Sequence, residues 1–150
     1  MILLDANVLV YASNADAPEH VASRALLGAA FKGRLAAALV PQVLLEYFAI
    51  VTDPRRTQHP LSAEDAWSQV ESLRASLPVL EAGGRSLAAL GELVVRRRPA
   101  GQDIFDLFLV AQVRGHGIAT ICTYEVSDFA GIPGIRAERP QSLLDDLSLD

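Results

Sequence analysis

Apolar positions along the chain fall into short continuous runs that alternate with longer stretches of helical spacing. Met1-Ile2-Leu3-Leu4 is a run too short for a helix and is stopped by an acid, which predicts a buried strand. Residues 35–40 and 118–123 repeat that pattern, and shorter strands are expected at 78–80 and near 135–137. Between them, residues 18–32 predict a helix, with Pro18 near its start and Gly33 just past its end. Pro41 opens another through about Val51, stopped by Asp53-Pro54, and Ser62-Ala63-Glu64-Asp65 caps the next. A further helix follows Gly83-Gly84 and ends at Arg96-Arg97-Arg98-Pro99. The last runs over residues 103–114 and stops at Gly115-His116-Gly117. Strands alternating with helices predict an α/β fold, a parallel sheet covered on both faces, as one domain over residues 1–150. Ligands of such sheets bind beyond the carboxyl ends of the strands.

Four carboxylates break the apolar pattern at or near those ends. Asp5 directly follows the first strand, where a helix N-cap is the ordinary role for an aspartate. Glu46 is the only polar residue from Val43 to Val51, and Ala49 and Ile50 one turn later leave it no solvated stripe to join. An ionised carboxylate on such a helix requires a partner, a cation or a shifted pKa. Asp106 repeats the anomaly within Ile104-Phe105-Asp106-Leu107-Phe108. Asp103 shares its helix face and offers a competing explanation, a capping pair in which Asp106 reaches back to the helix start. Asp128 lies beyond the strand ending at Thr123, and an ordinary turn acid over Phe129 is its plain explanation. A doubly wound sheet brings all these positions to one edge. Carboxylates within about 4 to 6 Å repel by a few kcal/mol per pair at an intermediate dielectric. A divalent cation relieves that repulsion, and oxygen-only ligands suit Mg²⁺ or Mn²⁺. Such sites act on phosphoryl oxygens.

Composition changes the picture in several ways. With 150 residues, 51% hydrophobic and 21% charged, the chain is long enough to bury roughly 70% of its unfolded surface and is not disordered. No apolar run approaches the ~20 residues of a membrane span. Met1 to Leu4 meets Asp5 with no basic stretch before it, so no secretory signal and a cytoplasmic location are expected. Cys122 is alone in an apolar run, which allows no internal disulfide and predicts an inert thiol. His20, His59 and His116 make no zinc spacing. Lys32 is the only lysine among 13 basic residues. That arginine excess suits phosphate contact, and a GC-rich genome produces it equally.

The same residues resemble PIN-domain ribonucleases, and within them the toxin component of VapBC toxin–antitoxin modules. The resemblance runs through Leu4-Asp5-Ala6-Asn7-Val8-Leu9, Pro41-Gln42-Val43-Leu44-Leu45-Glu46, Thr52-Asp53-Pro54-Arg55-Arg56, His59-Pro60-Leu61-Ser62, Ile104-Phe105-Asp106-Leu107-Phe108-Leu109-Val110-Ala111 and the stretch from Thr123 to Phe129. It implies a three-layer α/β/α fold around a parallel sheet and an endoribonuclease dependent on Mg²⁺ or Mn²⁺. Asp5, Glu46, Asp106 and Asp128 match the family's acidic metal site, and Asn7 and Thr123 match polar residues lining it. Phe105 stands where the family often has His or Tyr. Glu125 stands where it often has Asn or Asp, and Asp103 is an additional acid. The implied partners are an RNA substrate, a VapB-like antitoxin that blocks the site with an Arg or Lys, and a second copy of the chain. Helices around Tyr47-Phe48 and Trp67 are the expected dimer surface.

The chemistry these features predict is metal-assisted hydrolysis of a phosphodiester by water, leaving a 5′-phosphate and a 3′-hydroxyl. Arg55 and Arg56 in one loop, and Arg96, Arg97 and Arg98 at a helix end, are the candidate RNA contacts. Cations at a helix end also favour the dipole without any ligand. A PIN-fold DNA nuclease shares the metal chemistry but usually carries inserted arches and added domains that this chain lacks. A phosphoacceptor receiver domain requires a lysine near the carboxyl-terminal strand, and Lys32 lies in the first third of the chain. A non-catalytic PIN scaffold has no use for the complete acidic set. A pI near 5.1 and a net charge of −5 argue at first against a nucleic-acid partner. Setting aside the four metal-site acids brings the balance to −1, and setting aside Asp145, Asp146 and Asp150 as well brings it to +2.

Overall fold

The computed structural model describes residues 1–148, so Asp150 lies outside the described residues. Four parallel strands, β1 (Ile2–Leu4), β2 (Ala37–Ala38), β3 (Thr120–Cys122) and β4 (Arg136–Glu138), form one sheet in the order β2-β1-β3-β4. Among the described residues seven helices flank it: α1 (Ala6–Ser13), α2 (His20–Phe31), α3 (Pro41–Thr52), α4 (Ala63–Ser76), α5 (Ser86–Arg97), α6 (Asp103–Gly115) and α7 (Pro140–Ser148). The architecture is the expected three-layer α/β/α arrangement.

The central strands are continuously apolar because both faces are covered. Leu3, Leu4, Ile121 and Cys122 expose no surface, and the register sets Leu3 opposite Ile121 and Leu4 opposite Cys122. Burial pushes the Cys122 thiol far above its ordinary range, consistent with an inert core residue. β1 is followed in space by β2 on one side and β3 on the other. The connections leaving it therefore diverge, and a crevice opens at its carboxyl end. Asp5 extends the ladder by one bond, its N–H donating to the Cys122 carbonyl at 3.0 Å.

Several boundaries differ from the sequence expectation. The 35–40 run narrows to two ladder residues, and 78–80 contributes a single bridge, Leu39 to Val79. The first helix, α1, is not marked by the apolar pattern, because Val8 and Val10 are β-branched and the apolar positions run nearly all round it. α7 also falls outside the predicted elements. Ser62 caps α4 as expected, its Oγ accepting from the Asp65 N–H at 3.0 Å. Among the described residues no helix is long and apolar enough to cross a membrane.

Candidate acidic site at the strand mouth

Asp5 stands at the end of β1 with an extended backbone and caps α1, Oδ1 accepting from the Ala6 N–H at 2.7 Å. The capping role predicted for it is therefore real, but it uses only one oxygen. Oδ2 accepts from Thr123 Oγ1 at 2.7 Å and from Asn7 Nδ2 at 2.9 Å. Asn7 Nδ2 also donates to Thr123 Oγ1 at 2.9 Å, closing a ring of three side chains from β1, α1 and the end of β3. Thr123 further accepts from the Glu125 N–H at 3.0 Å, and Asn7 Oδ1 accepts from the Tyr124 N–H at 3.2 Å. A threonine hydroxyl offers one donor and two acceptors, and here all three are in use. The carboxylate of Asp5 is thus fixed in one orientation, and neutral groups alone hold it.

α6 supplies Asp103 and Asp106 from its first turn. The alternative capping pair is not formed: Gln102 is the capping position, and it makes no side-chain cap bond. Asp106 is half-buried and Asp103 exposed, and both line a cleft of about 210 Å³ with Arg97, Pro99, Leu107 and Asp128. Asp128 sits exposed on a short 3-10 turn, Val126–Phe129, that is anchored by buried Phe129 as the sequence predicted. Glu46, half-buried on α3, is held by Gln42, whose Nε2 donates to Glu46 Oε1 at 2.8 Å and to the Phe105 carbonyl at 2.9 Å. Gln112, almost completely buried on α6, donates to Gln42 Oε1 at 2.9 Å.

Burial, with smaller contributions from neighbouring charges, raises two of these acids. Asp5 is pushed up to about 6, chiefly by burial; the bonds from Thr123 and Ala6 oppose the rise, while the charges of Glu46 and Glu125 add to it. Asp106 is pushed up to about 7, again chiefly by burial, then by the charges of Asp128, Asp5, Glu46 and Glu125. All three ion pairs among the described residues lie elsewhere, at Arg55–Asp53, Arg74–Glu71 and Arg136–Glu138. The acids of the strand mouth therefore form no ion pair, although Arg97 lines the same cleft.

Whether those acids fit a metal depends on how closely they converge. Among the described residues no three His, Cys, Asp or Glu side chains gather tightly enough to enclose an ion by themselves. The close packing expected from the sequence is thus replaced by an open cleft rimmed with carboxylates. The oxygen-only chemistry of the donors suits Mg²⁺, which keeps several of its waters and takes only one or two carboxylates directly.

Comparison with known proteins places the fold. The family model described as PIN domain matches residues 2–132. The chain belongs to the PIN-domain family. Among its relatives, Ribonuclease VapC48 of Mycobacterium tuberculosis is 33% identical over 144 residues, spanning 92% of this chain and 96% of the relative. VapC20 of Mycobacterium tuberculosis, a Sarcin-Ricin loop cleaving toxin, matches with TM-score 0.67 at 18% identity over 91% of this chain and 99% of its own. A chain of DNA-bound VapBC from Salmonella typhimurium matches with TM-score 0.66 at 20% identity over 93% and 97%. At those identities the two structures speak for the fold.

In this PIN domain the five candidate arginines separate. Arg55 and Arg56 lie beyond the far end of α3, exposed, with Arg55 paired to Asp53 at 2.9 Å. Arg96 is exposed on the last turn of α5, and Arg98 ends it in a left-handed conformation with φ 49°. Only Arg97 lines the cleft. Sequence reasoning missed Gln112 entirely. Its one signal is an amide on an otherwise apolar helix face, three residues beyond Leu109.

Proposed function

We propose that this PIN domain is a divalent-metal-dependent endoribonuclease, the toxin of a VapBC-type toxin–antitoxin pair acting in the cytoplasm. The observation that carries the reading is the set of acids at the strand mouth, rich in charge and unpaired by any protein cation, in a chain whose relatives are named VapC ribonucleases. Asp5, Glu46, Asp106 and Asp128 are its proposed metal-holding residues. Asn7 and Thr123 position Asp5, while Asp103 and Glu125 add negative charge at the rim. Mg²⁺ or Mn²⁺ bound there supplies Lewis-acid polarisation of a phosphodiester and a more acidic water.

The protein's own part is orientation. Three neutral donors hold Asp5, so its free lone pairs face one direction. Gln42 does the same for Glu46, and the 3-10 turn carries Asp128 into the lining of the cleft. Water attack in line leaves a 5′-phosphate and a 3′-hydroxyl, with no role for the RNA 2′-hydroxyl. A VapB-like antitoxin would neutralise the site by placing an Arg or Lys among these acids. A second copy of the chain would pack on the exposed parts of α3 and α4. There Leu45 and Trp67 are open while Tyr47, included in the sequence expectation, is buried and unavailable.

End-labelled RNA and DNA of one sequence, incubated side by side with Mn²⁺ and with EDTA, test the reading. Cleavage of RNA alone, abolished by EDTA, is expected. Preferential cleavage of DNA would move the chain to the nuclease alternative, and cleavage undiminished by thorough demetallation would overturn the metal mechanism.

A further inference from the structure

We infer that Arg97 is a phosphate-binding residue of the cleft, gripping a phosphodiester group of the substrate strand beside the carboxylates; this rests on the endoribonuclease reading above. Arg97 stands in a run of three arginines at the end of α5, where the helix dipole alone accounts for basic residues. It differs from its neighbours in what its side chain touches. Nη2 donates to the Ala130 carbonyl at 2.8 Å, on the loop that follows the 3-10 turn carrying Asp128. Nη1 lies 3.4 Å from where a side chain on Gly131 would begin, so the guanidinium rests against bare backbone. Gly131 itself has φ +69°, a conformation that disfavours any side chain there.

The carbonyl bond matters because of what surrounds it. Arg97 lines the cleft with Asp103, Asp106 and Asp128, yet it forms an ion pair with none of them. A guanidinium carries five N–H donors in a rigid fork, and a single bond to Ala130 accounts for one. The tether holds the group at the rim, short of collapsing onto a carboxylate, and leaves the fork available. Two anionic oxygens of a phosphate match that fork, whereas an ammonium would meet them as a point charge. The cleft then presents a split surface to a strand, with carboxylates for the cation at one phosphate and a fixed arginine for a phosphate next to it.

Arg97→Gln removes the charge and the fork, its amide ending two bonds short of the position from which Nη2 reaches the Ala130 carbonyl, and Arg97→Lys keeps the charge alone. Fluorescence anisotropy of a labelled single-stranded RNA with Mg²⁺ is read on the Asp5→Asn background, which keeps the strand intact. The Arg97→Gln variant is expected to bind about tenfold more weakly, and to lose about 0.7 from the salt slope, the share of one phosphate contact on a single strand. Arg97→Lys should recover most of the salt slope but only part of the affinity. Arg74→Ala, which removes an equal charge from an exposed pair on α4, should change neither. In cleavage, Arg97→Gln should raise KM about tenfold with kcat within about threefold. Wild-type affinity and salt slope in Arg97→Gln would overturn the assignment. So would weakened binding that tracks a lowered Tm and returns on cooling, because the bond to Ala130 would then be structural only. If the wild-type chain cuts no RNA, the endoribonuclease reading fails, and the anisotropy series still decides whether Arg97 grips phosphate.

Discussion

Asp5 and Asp106 are the side chains on which the physics of this protein concentrates. Both carboxyls are pushed above the ordinary carboxylate range, to about 6 and about 7. The folded chain therefore holds protons that the unfolded chain has already released from about pH 4 upward. Stability contributed by this linkage is present at low pH and is lost as pH rises through the folded values. Metal-free protein in EDTA should accordingly show a Tm that falls between pH 5 and pH 8. Asp5→Asn should flatten that slope, and a wild-type Tm rising over the same range would contradict the assignment. Mn²⁺ should restore more stability at pH 8 than at pH 5, since the ion competes with protons for the same oxygens. Asp5→Asn and Asp106→Asn should each reduce RNA cleavage by on the order of a hundredfold or more while leaving circular dichroism unchanged. Thr123→Val removes the donor to Asp5 Oδ2 and should lower cleavage about tenfold, with Thr123→Ser recovering it.

At the scale of elements, α3 and α6 are locked together by two amides. Gln112 reaches from α6 to Gln42, and Gln42 fixes both Glu46 and the carbonyl of Phe105. Gln112→Leu leaves the Gln42 oxygen without its donor and should cost about 1–3 kcal/mol in urea unfolding. It should also lower kcat more than KM, because Glu46 loses its orientation and the substrate loses no contact. Arg98 ends α5 in a left-handed conformation, where a Cβ is strained. Arg98→Gly should stabilise the chain by about 0.5–1 kcal/mol, measured by the same unfolding curves. These elements also mark how far the sequence can be read. Glu46 and Asp106 stand out because a charge in an apolar helix contradicts its surroundings, and the strand-helix alternation is visible because buried parallel strands are uniformly apolar. Gln42 and Gln112 do not stand out, since an amide is ordinary on a helix and their pairing spans 70 positions. Nor does sequence separate Arg97 from Arg96 and Arg98, because only the path of the loop at Ala130 distinguishes them. α1 was hidden by its β-branched residues, which favour a strand locally and are overruled by packing.

For the molecule as a whole, the decisive arrangement is the order β2-β1-β3-β4, which sets the first strand between two others and places Asp5 and Thr123 side by side. The net charge of −5 takes a different meaning in that frame. Much of the acidity is concentrated at the strand mouth, and Asp145 and Asp146 lie exposed on α7. An acidic pI is therefore compatible with the proposed RNA substrate and comes partly from the acids of the proposed site. The ring that fixes Asp5 joins residues 118 positions apart. During synthesis β1 precedes its partner strand β3 by more than a hundred residues. Until β3 has been made Asp5 has no Thr123 beside it, and the acids of α6 and the 3-10 turn are not yet facing it. A chain not yet grown past β4 therefore lacks the assembled acid site, and on the endoribonuclease reading it gains a cutting edge only once that segment has been made.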